Sequence, residues 1–184
     1  MKIAIIVGST RDNRVGRGIA DWVAARAETR TDATFELVDL ADFNLPMLSS
    51  AVPPAGLNKQ YAEPEVQAWS QKIDEFDGFI FVTPEYNHGV PAAMKNSMDV
   101  IGPEWMKKAI AFVGYGASGG VRAVENWRTI VANFNMYDIR NTLEINIFTE
   151  MGEDGFEPSE RRVAEIADLF DTLVPAAKAM ATLR

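Results

Sequence analysis

The chain has 184 residues, of which 47% are hydrophobic and 24% charged, a composition typical of a folded globular protein. This length predicts one domain spanning residues 1–184, since domains commonly contain about 100 to 200 residues. The formal net charge of −8 disfavours nucleic acid as a partner, because a polyanion binds only where a basic patch is present. The lack of cysteine excludes disulfides, thiolate nucleophiles and iron–sulfur ligation, and the single His88 argues against a histidine-rich metal site.

Targeting and membrane signals are not visible in the sequence. No apolar run approaches the roughly 20 residues that a membrane-spanning helix needs, and the first residues enter a strand pattern directly. We therefore expect a cytoplasmic protein without a membrane span. Any redox reaction would require a bound redox cofactor, because no cysteine is available to carry electrons.

The first strand and the loop after it carry the clearest functional signal. The apolar run 2–7 predicts a strand buried on both faces, and a helical pattern begins near Val15. Between them lie Gly8, two hydroxyl residues, Arg11 and Arg14. A helix N-terminus offers unpaired N–H groups and arginine matches phosphate geometry, so this loop predicts a phosphate site. The alternative is a generic helix cap, since Gly and Ser are common at helix starts.

Known phosphate loops with other spacings do not fit. The sequence lacks the G-x-x-x-x-G-K-[ST] and G-x-G-x-x-G patterns, and it has no cysteine for a phosphatase loop. An acidic turn at 152–155 also lacks the D-x-[DN]-x-[DN]-G spacing of calcium loops, so we interpret it as a solvated loop. Among phosphate-binding loops, the spacing therefore leaves the type that binds a mononucleotide.

Strand and helix patterns alternate along the rest of the chain. After the first strand, their predicted ranges are a helix at 15–30, a strand at 34–40, a helix at 65–76, a strand at 79–82, a helix at 91–101, a strand at 108–113, a helix at 121–134, a strand at 143–148 and a helix over 163–174. The proline-rich stretch 45–64 is too long for a plain connector, since most loops span roughly 4 to 6 residues. We expect it to wrap a rim of the domain or a partner.

Five strands alternating with five helices predict an α/β fold with a doubly wound parallel sheet. With the strand order 2-1-3-4-5, the loops 8–16, 84–89 and 114–120 meet at the carboxyl edge. The second loop offers an aromatic, an amide, a carboxylate and an imidazole, and four glycines of the third would let the backbone approach a flat ligand. Together the three loops predict a site for a mononucleotide with a large heteroaromatic ring.

Three segments resemble the NAD(P)H-dependent FMN reductase family: Gly8-Ser9-Thr10-Arg11 with Arg14 and Gly16, Pro84-Glu85-Tyr86-Asn87 through Lys95-Asn96, and Gly119-Gly120-Val121-Arg122-Ala123. The resemblance spans nearly the whole chain, and its second segment is the most specific. It implies an oxidoreductase of flavodoxin-like fold, a flavoprotein with non-covalent FMN and with NADPH or NADH as electron donor. The implied reaction passes two electrons to free flavin, quinone, azo or metal-oxyanion acceptors by a ping-pong mechanism.

The resemblance also implies which residues hold FMN. The phosphate would contact Ser9, Arg11, Arg14, Val15 and Gly16. The ribityl chain and isoalloxazine would be lined by Pro84, Glu85, Tyr86 and Asn87, with the backbone at His88. The other side of the ring would be closed by Gly116, Ser118, Gly119 and Gly120. We expect no metal and no catalytic side chain, since a flavin carries the chemistry itself.

The resemblance further implies a homodimer or homotetramer that shares the flavin site. We expect an apolar patch at one sheet edge of the monomer, formed by Tyr86, Met98, Val100, Ile101, Trp105 and Met106. Two other functions stay open, a flavodoxin-type one-electron carrier and a non-redox phosphate-binding module. His88 likewise has two interpretations, a proton donor to a quinone or a loop residue that meets solvent.

Overall fold

The computed structural model describes residues 1–153 and 155–184. Its main sheet has five parallel strands in the order β2-β1-β3-β4-β5, which confirms the predicted flavodoxin-like arrangement. The strands are Lys2–Val7 (β1), Thr34–Asp39 (β2), Gly78–Pro84 (β3), Ala109–Gly116 (β4) and Tyr137–Asn146 (β5). A short antiparallel hairpin follows the sheet, formed by Met151–Gly152 (β6) and Gly155–Phe156 (β7).

Five helices connect and cover the strands. They are Val15–Ala27 (α1), Pro64–Asp74 (α2), Ala92–Asp99 (α3), Val121–Ala132 (α4) and Glu160–Ala181 (α5). Three short 3-10 turns lie at Leu40–Phe43, Pro54–Gly56 and Pro103–Trp105. The order of the predicted elements is confirmed, and most of their ends agree within a few residues.

Two elements are clearly longer than predicted: α5 ends at Ala181 rather than at 174, and β5 begins at Tyr137 rather than at 143. The sequence of β5 explains why its start was missed. Its first half is polar and lacks strict alternation, and its pairing with β4 shifts register between Ile110 and Phe112. Arg128 of α4 donates hydrogen bonds to the carbonyls of Ile139 and Arg140, at 3.2 and 3.3 Å. A partner from another element therefore fixes this half of the strand, and the local sequence does not show that partner.

Helices cover both faces of the sheet, so β3 and β4 are buried along their whole length. One hydrophobic layer packs α1 and α5 on the sheet, and the other packs α2, α3 and α4. The second layer contains Met98, Val100, Ile101 and Trp105, each at most 3% exposed. The predicted apolar patch is therefore wrong for these four residues, because their own chain covers them.

The long segment 44–63 is anchored to the body of the protein at two points. Asn96 of α3 donates to the carbonyl of Pro46 and accepts from the N–H of Leu48, both at 2.9 Å. Near the end of the segment, the Tyr61 hydroxyl donates to the fully buried carboxylate of Glu104 at 3.0 Å. Burial and the charge of Glu104 raise the pKa of Tyr61. The segment thus lies along the rim of this domain, one of the two places expected for it.

Two negative findings apply to the part of the chain that the structure describes. There, no helix combines the length and the apolar character needed to cross a bilayer. The same residues contain no group of three or more side chains suited to hold a metal ion. The acidic turn predicted at 152–155 includes Asp154, which lies outside the described residues.

Candidate functional site

The loops after β1, β3, β4 and β5 surround a cleft of about 260 Å³ at the carboxyl edge of the sheet. Eight residues of its lining were predicted from the sequence: Ser9, Arg11, Arg14, Val15, Pro84, Glu85, Tyr86 and Gly116. Three further lining residues were not predicted, namely Asn13, Tyr115 and Ile147. The predicted convergence of the loops therefore produces a real cavity, because parallel strands end at one edge.

Arg14 stands immediately before α1, and its guanidinium is held by a carboxylate that the sequence analysis missed. Its Nη2 lies 2.5 Å from Oδ2 of Asp39, the last residue of β2, and Nη1 of Arg17 lies 3.2 Å from the same oxygen. Asp39 is only 4% exposed. The Arg14 Nε is also buried, and it has no hydrogen-bond partner among the described residues. A buried donor without a partner is costly, so this N–H is suited to an anionic ligand.

Three hydroxyl groups lie beside the arginines. Ser9 Oγ and the Tyr86 hydroxyl are 2.9 Å apart, and Ser9 is almost fully buried. The Tyr115 hydroxyl occupies the space over Gly16, where a Cβ would overlap it. Burial is the main cause that raises the pKa of Tyr115, so its phenol stays protonated. Gly16 therefore lies under Tyr115, outside the lining of the cleft, and its lack of a side chain makes room for that ring.

Arg11 is exposed at the rim of the cleft, with its guanidinium 5.8 Å from the centre of the Tyr86 ring. This is within the range of a cation–π contact. The neighbouring Arg14 and Arg17 are paired with Asp39, whereas no ion pair of Arg11 is found among the described residues. Its charge is thus available to a ligand that enters the cleft.

The loop after β3 is a tight hairpin turn. Tyr86 and Gly89 exchange backbone hydrogen bonds of 3.1 and 3.0 Å, and Asn87 and His88 between them have φ of +50° and +64°. Positive φ at both central positions is typical of a type I′ turn, and Asn and His tolerate it better than most residues. Both side chains are exposed and lie outside the lining of the cleft. The structure therefore gives them a role in shaping the loop.

Glu85 joins this loop to the start of α4. Its carboxylate accepts the backbone N–H of Arg122 at 2.9 Å and the guanidinium of the same residue at 2.5 Å. The Glu85 side chain is only 8% exposed. Its charge is therefore balanced within the protein, and its contribution to the cleft is mainly its backbone and its aliphatic stem.

The glycines of the third loop serve contacts within the protein. Gly119 and Gly120 have φ of +70° and +75° and are buried. A Cβ on Gly120 would lie 2.5 Å from the backbone nitrogen of Tyr115, and one on Gly119 would lie 2.9 Å from Cβ of Glu144. The expected close approach to a flat ligand is thus replaced here by close packing on β4 and β5. Ser118 of this loop is exposed, and Gly116 is its one glycine that lines the cleft.

The lining has the donors that a phosphorylated ring compound needs. Cationic and hydroxyl groups lie at the α1 end, while Tyr86, Tyr115 and Ile147 supply aromatic and apolar surface. The unpaired Arg14 Nε and the aromatic and apolar part of the lining fit a bound FMN, whose phosphate and ring require these two environments.

Comparison with known proteins identifies the family. The profile of the NADPH-dependent FMN reductases matches residues 1–150. An NAD(P)H-dependent FMN reductase of Nectria sp is 40% identical over 126 residues, which are 66% of this chain and 63% of that protein. An NAD(P)H:quinone oxidoreductase of Solanum tuberosum is 32% identical over 71% of this chain and 66% of its own length. This chain thus spans less than two thirds of the Nectria protein.

A solved structure supports the fold independently. The flavoenzyme NAD(P)H:(acceptor) oxidoreductase FerB from Paracoccus denitrificans superimposes with a TM-score of 0.77, covering 97% of this chain and 98% of its own, at 20% identity. At that identity the similarity concerns the fold alone. The family assignment rests on the profile, which covers residues 1–150. The chain therefore belongs to the NADPH-dependent FMN reductases, an oxidoreductase family that uses FMN as cofactor and NAD(P)H as electron donor.

Proposed function

We propose that this chain binds FMN in the cleft and uses it to pass two electrons from NADPH or NADH to small acceptors. The acceptor classes are free flavin, quinone, azo compounds and metal oxyanions, and donor and acceptor react in turn by a ping-pong mechanism. The observation that carries the proposal is the buried, unpaired Nε of Arg14 beside the exposed Arg11, on a chain with a net charge of −8. These donors match a phosphate at a helix N-terminus.

We assign the residues of the site as follows. The phosphate is held by Ser9, Arg11, Arg14, Val15 and the loop backbone at Gly16. The ribityl chain and ring are held by Pro84, Glu85 and Tyr86, and Asn87 and the backbone at His88 complete the turn that brings this loop to the ligand. The far side of the ring is closed by the third loop, with Gly116 in contact and Ser118, Gly119 and Gly120 fixing its path.

The chain's own residues have positioning and electrostatic tasks. Bound FMN supplies the acceptance and release of hydride. Arg11 and Arg14 neutralise the phosphate, and the Ser9 hydroxyl donates to it. Tyr86, Tyr115 and Ile147 exclude water from one side of the cleft, which strengthens the electrostatic contacts inside. No side chain is required as a general acid for the first half-reaction.

The direct test is colour and turnover of the purified protein. We expect a yellow protein that oxidises NADPH or NADH with a quinone, in a reaction that depends on FMN, with parallel lines in double-reciprocal plots. A one-electron carrier would bind FMN without oxidising nicotinamide. A phosphate-binding module would bind FMN no better than another mononucleotide, and either result would contradict the proposal.

Replacement of His88 by alanine tests whether the proposed site needs an acid. We expect reduction of FMN by nicotinamide to stay within roughly tenfold of the parent, since His88 is exposed and outside the lining. Stopped-flow bleaching of bound FMN, followed by reoxidation with quinone, separates the two half-reactions. A variant that binds FMN but cannot be reduced would show that an essential proton transfer has been missed.

Oligomeric state and location are further parts of the proposal. We propose a homodimer or homotetramer, although the apolar patch expected to support it is largely buried within the chain. A sedimentation experiment at micromolar concentration that showed only the 20.3 kDa monomer would contradict this. The cytoplasmic location also stays a prediction, and fractionation of the source cells tests it.

A further inference from the structure

Phe148 is the most exposed large hydrophobic side chain in the described part of the chain, at 77%. It follows β5 directly after Ile147, whose side chain lines the cofactor cleft. Val15, which also lines the cleft, is 44% exposed. Apolar side chains therefore lie in the lining of the cleft and, with Phe148, directly beside it in the chain, at the carboxyl edge of the sheet.

Hydrogen bonds fix the turn that carries Phe148. Asn146 accepts the N–H of Phe148 at 2.9 Å through its side-chain oxygen, and its side-chain nitrogen donates to the carbonyl of Ala117 at 3.0 Å. The N–H of Asn146 in turn donates to Glu150 at 2.9 Å, and Arg162 donates to Glu150 at 2.7 Å. The turn is thus tied both to the glycine-rich loop and to α5. These bonds fix the backbone that carries the exposed ring, so the ring is presented at a defined place where it can contact a ligand.

We propose that Phe148 forms the outer wall of the acceptor subsite and contacts flat aromatic acceptors such as quinones. This inference rests on the proposed function. An aromatic side chain binds a flat ring through stacked or edge-to-face contacts and through the apolar area that both bury. A quinone has little besides its ring for the protein to hold. A nicotinamide dinucleotide carries a sugar–phosphate chain that supplies further contacts, so it depends less on Phe148.

The test compares acceptors with and without an aromatic face. In Phe148→Ala we expect kcat/KM for 1,4-naphthoquinone to fall roughly ten- to hundredfold, from the loss of one aromatic contact. Ferricyanide has no aromatic face, so its kcat/KM should fall by at most about threefold. The rate at which NADH bleaches bound FMN should also fall by at most about threefold. Phe148→Tyr should restore the quinone rate. Tyr137→Ala is the matched control, because Tyr137 is 53% exposed at the opposite end of β5, and it should leave all rates unchanged.

A binding measurement without turnover complements the kinetics. With 4-fluorophenylalanine at position 148, adding naphthoquinone to the oxidised protein should produce a saturable shift of the fluorine resonance. The inference is overturned if the resonance does not move, if quinone and ferricyanide rates fall equally, or if Phe148→Ala instead dissociates an oligomer. If the unmodified protein fails to bind FMN or to oxidise nicotinamide, the proposed function is overturned. If the unmodified protein is active and Phe148→Ala reduces quinone at the same rate, only this inference is overturned.

Discussion

Replacement of both Arg11 and Arg14 by alanine is expected to weaken FMN binding by about 10² to 10⁴-fold. Hydrogen bonds to charged groups contribute about 1.5–3 kcal/mol each, and two such donors are lost. Riboflavin lacks the phosphate, so its affinity should change by less than about threefold, since no such bond is lost. The salt dependence of FMN affinity should also flatten, because ions screen the attraction that these arginines provide.

Fluorescence titration of both flavins at low and high salt measures these effects. The matched control replaces Arg26 and Arg161, two exposed arginines outside the cleft, and should leave both affinities unchanged. Because Arg14 also pairs with the buried Asp39, thermal unfolding of the variant should be recorded in parallel. Equal losses of affinity for FMN and riboflavin would contradict the assignment of these residues to the phosphate.

Replacement of Gly120 by alanine is expected to lower the free energy of unfolding by about 3 kcal/mol or more, since overpacking and positive φ each cost about 1–3 kcal/mol. The new Cβ would lie 2.5 Å from the backbone nitrogen of Tyr115 and 2.8 Å from the carbonyl carbon of Gly114. Both contacts are with backbone of β4, which cannot turn aside as a flexible side chain could. The φ of +75° adds strain for any residue with a side chain.

Urea-induced unfolding compares this variant with Gly18→Ala. Gly18 lies within α1, where an added Cβ would have no described neighbour within 4 Å, so alanine there should stabilise the helix by up to about 1 kcal/mol. If Gly120→Ala were as stable as the parent and lost only FMN affinity, the glycine would serve the ligand, as the sequence analysis first expected. A large loss of stability without FMN present supports the packing role.

The sequence by itself determined the fold and the place of the site. Apolar runs such as 2–7 and 79–82 are too short for buried helices, and the helical patterns between them leave a covered parallel sheet as the consistent architecture. Since the carboxyl ends of such strands share one edge, the loops 8–16, 84–89 and 114–120 had to meet. Ser9, Arg11 and Arg14 could therefore be placed at the cleft without coordinates.

Tertiary structure alone decided how individual side chains are used. Asp39 and Arg14 are far apart in sequence, and their pairing depends on β2 lying beside β1. Glu104 is fully buried, and burial lowers the pKa of Lys108 to about 8, although both residue types would be expected at the surface. Spacing and periodicity describe one segment at a time. Partners from other segments set the charge, burial and backbone strain of each residue, and only packing brings those partners together.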